Sequence, residues 1–146
     1  MKLEFRPATI ADARQLFDWR NDEATRAQSF EIEPLVFENH LAWFERSLTN
    51  PDRAIFIVEH DGTGVGMIRK DRLDQAWVLS WMVNPVARGK GYGKELLKQF
   101  VEEKPEAYIA EIKHGNTASI NMAEYAGFYN LESFTDFQRW VYPSQI

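Results

Sequence analysis

The chain has 146 residues, 45% hydrophobic and 14% aromatic, enough for one compact domain with a sizeable core spanning residues 1–146. A formal net charge of −5 argues against nucleic acid as a main partner, because proteins that bind its backbone carry a broad basic face. With zero cysteines there is no disulfide, thiol nucleophile or cysteine-held metal, and three scattered histidines do not make a zinc site, so no metal is expected.

No run approaches the roughly 18 to 20 apolar residues of a membrane span, and "MKLEFRPATIADARQ" lacks the apolar core of a signal peptide. A cytoplasmic protein without membrane contact is expected. "KLEFR" alternates as a strand, and Thr9 with Asp12 three residues on resembles a capping box before the helix "ADARQLFDWRND". Val36, Phe37, Leu41, Phe44 and Leu48 form a helical stripe over Pro34 to Leu48, ended by Asn50-Pro51. "AIFIVEH" and "GVGMIRK" flank Asp61-Gly62, a strong hairpin signal, and "AWVLSWMV" reads as a further strand, so an antiparallel meander is expected. Leu96, Leu97, Phe100 and Val101 share one face of a helix closed by Lys104-Pro105. "AYIAEIK" is then a strand, "TASINMAEYA" a helix capped by Gly127, and "FTDFQRWVY" a last strand. The resulting order β-α-α-β-β-β-α-β-α-β predicts an α/β sandwich with a mixed sheet.

Between the meander and the third helix lies "NPVARGKGYGKELLKQF", with glycines at 89, 91 and 93 among Arg88, Lys90 and Lys94. Glycine loses the most backbone entropy on folding, so such a cluster is tolerable where the backbone takes unusual dihedrals or something approaches closely. A helix starting just after Gly93 would present unpaired N–H groups and its positive dipole end, a setting for phosphate or pyrophosphate. The alternative is a glycine-rich turn that merely joins strand to helix. The Walker pattern fails because Glu95 follows Gly93-Lys94, and the dinucleotide pattern fails because Lys94 stands where glycine or alanine is needed.

Arg88, Gly91 and Gly93 match Arg/Gln-x-x-Gly-x-Gly/Ala, and Val78 to Val101 resembles the acyl-CoA motif of the GNAT-superfamily N-acetyltransferases. "NTASINMAEYAGF" resembles that family's next element through Asn116, Ser119, Gly127 and Phe128. The resemblance implies a mixed, largely antiparallel sheet flanked by helices on both faces, with acetyl-CoA as co-substrate. It places the coenzyme A diphosphate on the segment Arg88, Gly89, Lys90, Gly91, Tyr92, Gly93 and Lys94. It also implies that a bulge splays the preceding strand, so that the backbone at Met82 and Val83 holds the pantetheine arm, with Asn116 touching pantetheine and Ser119 near the thiol. Both could instead be helix caps.

Acetyl transfer to an amine needs the amine neutral and the leaving thiolate protonated. The resemblance offers Glu111 as base; a solvated strand carboxylate is the other reading. The position where relatives carry a tyrosine acid is Ala123, and Tyr125, about 200° around the helix from it, is a substitute. "FDWRNDEATRAQSF", "HLAWFE" and "VGMIRKD" resemble the amino-sugar N-acetyltransferases of the pseudaminic acid pathway, implying a small-molecule amine acceptor, a nucleotide-linked amino sugar. Trp19, Arg20, Arg26, His40, Trp43 and Arg69 would then bind substrate. The plainer reading makes Trp19, Trp43 and His40 core residues and the arginines surface charges. An α-amino acetyltransferase of ribosomal or other proteins and a non-catalytic acyl-CoA-binding module are the alternatives. A homodimer is compatible with either enzyme reading.

Overall fold

Asp61 and Gly62 both have positive φ, 51° and 80°, as a type I′ turn requires, and the flanking strands close on the pair His60↔Thr63. In the computed structural model, which describes residues 1–143, this turn joins β2 (Arg53–His60) to β3 (Thr63–Leu73). With β4 (Ala76–Val83) they form the expected antiparallel meander. Adding β1 (Glu4–Pro7), β5 (Tyr108–Lys113), β6 (Tyr129–Ser133) and β7 (Phe137–Tyr142) gives a seven-stranded sheet in the order β1-β2-β3-β4-β5-β7-β6. Every neighbouring pair is antiparallel except β4 and β5.

Helices α1 (Ala13–Arg20) and α3 (Phe37–Leu48) cover one face, where Leu16, Trp19 and Phe44 pack on Ile55, Ile57 and Met82. Helices α4 (Tyr92–Glu103) and α5 (Thr117–Ala126) cover the other, where Leu96, Leu97, Phe100 and Val101 meet Val58, Ile68 and Ala110. Strand alternation sorts Ile55 and Ile57 to the first face and Val58 to the second. Phe100 is fully buried with its ring edge-on to Phe5 at 5.3 Å. Gly127 ends α5 in the left-handed conformation at φ 96°, as expected of a C-cap.

Several boundaries differ from expectation. The last strand begins at Phe137 rather than Phe134, and β6 ahead of it is missed because all five of its residues are exposed and carry no buried alternation. A short helix α2 (Glu23–Ala27) follows α1, capped by Asp22 accepting the Thr25 N–H at 3.1 Å. Thr9 opens a 3₁₀ turn at Ile10–Asp12, its N–H donating to the Asp12 carboxylate at 2.8 Å, and α1 follows that turn. α3 begins at Phe37 rather than Pro34, and α4 at Tyr92 rather than beyond Gly93. Among the described residues no helix is long and apolar enough to cross a membrane.

Candidate active site

The parallel pairing of β4 with β5 runs only from Trp77↔Tyr108 to Leu79↔Ala110, although β4 continues to Val83 and β5 to Lys113. Beyond Leu79 the strands part, leaving the β5-facing backbone of β4 without a partner strand. The expected bulge is not the cause: the β3–β4 ladder runs without a register shift from Gly66↔Val83 to Leu73↔Ala76. Instead β5 keeps its ladder with β7 as far as Lys113↔Phe137 while its pairing with β4 ends at Ala110.

After β4, Asn84 accepts the Val86 N–H at 3.2 Å and donates to the Gly64 carbonyl at 3.1 Å, pinning the loop to the neighbouring hairpin. Gly89 and Gly91 take φ of 78° and 84°, and Gly91 is the N-cap of α4, so the free N–H groups of the first helical turn open at this loop. A cavity of about 1070 Å³ lies between loop, fork and α5. Met82, Val83, Arg88, Gly89, Tyr92, Gly93, Lys94, Asn116 and Ser119 line it, whereas Lys90 and Gly91 do not. Asn116 caps α5 by accepting the Ser119 N–H at 3.2 Å. Arg88 donates to Asp22 at 2.6 Å and to Thr25 Oγ1 at 2.9 Å, and the bond to Asp22 holds that carboxyl below the usual carboxylate range.

A second cavity of about 290 Å³ continues from the first past Trp81, Met82, Asn116 and Ser119. Glu111 lines it, its Oε2 accepting from Arg139 at 2.8 and 3.2 Å. A third cavity of about 430 Å³ follows, sharing Arg20, Glu31 and Arg69 with the second and adding His40, Trp43 and Arg53. The guanidiniums of Arg53 and Arg69 lie over the Trp43 ring at 5.3 and 5.4 Å, and both arginines pair with Asp71. His40 stacks on Phe44, and burial followed by the charge of Arg20 pushes its pKa down, so the ring is neutral.

Besides Lys90 and Gly91, two expected site residues line none of these cavities, and a third, Tyr125, lies away from Glu111. Trp19 is 5% exposed in the α1–α3 core and lines none of these cavities. Arg26 donates to the carbonyls of Asn21 and Ile32, both at 3.1 Å, which ties down the α2–α3 connection instead of facing the cavities. Tyr125 lines the first cavity but not the second, where Glu111 sits. Its hydroxyl donates to Glu95 at 3.0 Å, raising its pKa and making it a poorer proton donor. Sequence reasoning missed Thr25, Gln28 and Ser29, which line the first two cavities; the Asp22-x-x-Thr25 cap pattern was the available signal for α2. It also missed Arg53, which takes the place foreseen for Arg26, and Arg139.

Comparison with known proteins agrees with this fold. Among solved structures, the spermidine N-acetyltransferase from Vibrio cholerae in complex with CoA and spermine is similar, at TM-score 0.84 and 15% identity over 95% of this chain and 94% of that one. The aminoglycoside acetyltransferase AAC(6')-Ib in complex with coenzyme A aligns at TM-score 0.82 and 17% identity, covering 96% and 94% of the two chains. At these identities the likeness speaks for the fold. No curated protein sequence matches significantly. The family model described as acetyltransferase (GNAT) domain matches residues 2–129, most of the sequence, and the chain therefore belongs to the GNAT family of acetyl-CoA-dependent acetyltransferases.

Proposed function

We propose that this chain moves the acetyl group of acetyl-CoA to the primary amine of a small molecule, and that the acceptor is a nucleotide-linked amino sugar. The observation that carries the reading is a continuous path: the glycine loop and the β4–β5 fork open into one cavity, which leads past Glu111 to the arginine-lined third cavity. Acetyl-CoA supplies an acetyl thioester and leaves as a thiol. The α4 amides, with Lys94, suit its diphosphate, and the unpaired backbone at Met82 and Val83 suits its pantetheine arm.

Glu111 is the group best placed to take the amine proton, and the Arg139 bonds to Oε2 orient it while leaving Oε1 unengaged by them. Thr25, Ser29 and Ser119 bring hydroxyls to both the first and the second cavity; those of Thr25 and Ser29 donate to Asp22 and to the Thr25 carbonyl, and Ser119 is assigned the proton donor to the thiolate. Tyr125, held by Glu95 and paired with Lys94 at 4.3 Å, belongs to the phosphate end of the groove in this reading. An acceptor cavity holding Arg20, Arg53, Arg69 and Trp43 supports a small ligand with a ring and a phosphate over an extended peptide. The sugar assignment also rests on the resemblance of the segments around Trp19–Asp22, His40–Phe44 and Gly66–Arg69 to amino-sugar N-acetyltransferases.

The test is thiol release from acetyl-CoA with a UDP-linked 4-amino sugar, free amino sugars and N-terminal peptides offered in parallel. Turnover with the sugar nucleotide is expected. Turnover with peptides alone would assign the chain to protein α-amino acetylation, and acetyl-CoA binding with no turnover on any amine would make it a binding module.

A further inference from the structure

Arg20 closes α1 and reaches the junction of the second and third cavities. Its Nε is buried and has no hydrogen-bond partner, and its guanidinium forms no ion pair with the described residues. Every other arginine around it is engaged: Arg69 and Arg53 share Asp71, Arg26 holds two carbonyls, and Arg139 holds Glu111. Burial first, and then the charge of Arg69, push the pKa of Arg20 below its ordinary value, against the opposing charge of Glu31. A half-buried cation beside a second cation is unfavourable unless an anion completes the site. Two carboxylates face it from the rim, Glu31 and Glu33, both exposed; Glu31 accepts the Glu33 N–H at 3.4 Å and forms no ion pair with Arg20.

We infer that Arg20, backed by Arg69 on the Trp43 ring, grips an anionic group of the acceptor, a phosphate or a carboxylate, and so selects acidic amines over neutral and polycationic ones. The selection rests on the acetyltransferase reading, but the anion site itself does not. A planar guanidinium with unengaged N–H groups binds either oxyanion through paired hydrogen bonds. A polycation would meet Arg20, Arg53 and Arg69 in the same cavity, so the site differs in charge logic from what a polyamine needs.

The experiment uses four amines of similar reach: phosphoethanolamine, β-alanine, propylamine and 1,3-diaminopropane. Binding is read by tryptophan fluorescence, since Trp43 and Trp81 line the cavities, and turnover by thiol release. Phosphoethanolamine or β-alanine should bind at least about tenfold tighter than propylamine, and the diamine weakest. Whichever of the two anions binds better identifies the group. Arg20→Gln should reduce the anion preference to within about twofold of neutral amine, Arg20→Lys should restore part of it, and Glu31→Gln should tighten anion binding. Circular dichroism and thermal melting separate lost binding from lost folding, and Arg69→Gln is a second variant should Arg20→Gln fold poorly. Equal binding of all four amines, or an anion preference that survives Arg20→Gln, overturns the assignment. Anion binding without turnover on any of these amines or on the UDP-linked 4-amino sugar leaves the Arg20 site standing and removes the catalytic reading instead.

Discussion

Gly91→Ala, compared with Gly62→Ala, isolates what the glycine loop does. Both glycines hold nearly the same dihedral, φ 84° and 80°, and a Cβ added at either meets nothing within 4 Å. The substitutions therefore add backbone strain without steric clash, about 1–2 kcal/mol each for a non-glycine residue in the left-handed region. Gly62→Ala, fixed by its hairpin, should lower the melting temperature by about 2–8 °C for a chain of this length, and Gly91→Ala, whose loop can relax, by less. They should part on cofactor affinity. Gly62 closes the β2–β3 hairpin, whereas Gly91 is the residue whose conformation aims the first amides of α4 at the loop. If the alanine introduced in place of Gly91 relieves its strain by turning to negative φ, acetyl-CoA must reverse that change on binding. The dissociation constant then rises by the released strain, about 5- to 30-fold. Titration calorimetry with acetyl-CoA on both variants reads the difference directly. A smaller melting shift for Gly91→Ala than for Gly62→Ala, with equal acetyl-CoA affinities, would refute the claim that the loop amides hold the diphosphate.

Asp22→Asn frees Arg88 from its 2.6 Å partner while an amide still caps α2. Because an exposed pair of this kind contributes about 0.2–1 kcal/mol, acetyl-CoA should bind up to about fivefold tighter, the gain shrinking with added salt; unchanged affinity would place Arg88 outside the phosphate contacts. Glu111→Gln should lower kcat by roughly 10²- to 10⁴-fold while changing the KM for the amine little, and a variant with an unaltered kcat would exclude Glu111 as base. His40 is held below its ordinary value of 6.5, so near that pH the unfolded chain binds more protons than the folded one. Its contribution to stability is full above 6.5 and is lost as pH falls toward the depressed folded value. His40→Leu should flatten that loss, measured as denaturant unfolding between about pH 5 and 8, and parallel curves for variant and parent would contradict the burial argument.

What could be read ahead of the structure was local. Asp61-Gly62 announces its turn because only positive φ closes so short a hairpin, and the stripe Leu96, Leu97, Phe100 and Val101 announces α4 because its period is set by the helix itself. The glycine loop belongs to the same class, since its dihedral demands are written in residue type. What escaped depends on partners distant in sequence. β6 carries no buried face, and Glu111 meets Arg139 only because β5 and β7 align in the register Glu111↔Arg139. The arginines show the limit most clearly. Arg20, Arg26 and Arg69 look alike as cations near aromatic residues, yet the fold ties Arg26 to the carbonyls of Asn21 and Ile32 and brings Arg53 to the Trp43 ring. Charge is legible from composition, but whether that charge is neutralised within the protein depends on strand order and loop path. Arg20 is the arginine at this site that forms no ion pair with the described residues, only the exposed Glu31 acting on it through its charge, and that difference from Arg26, Arg53 and Arg69 is set by the fold and not by residue type.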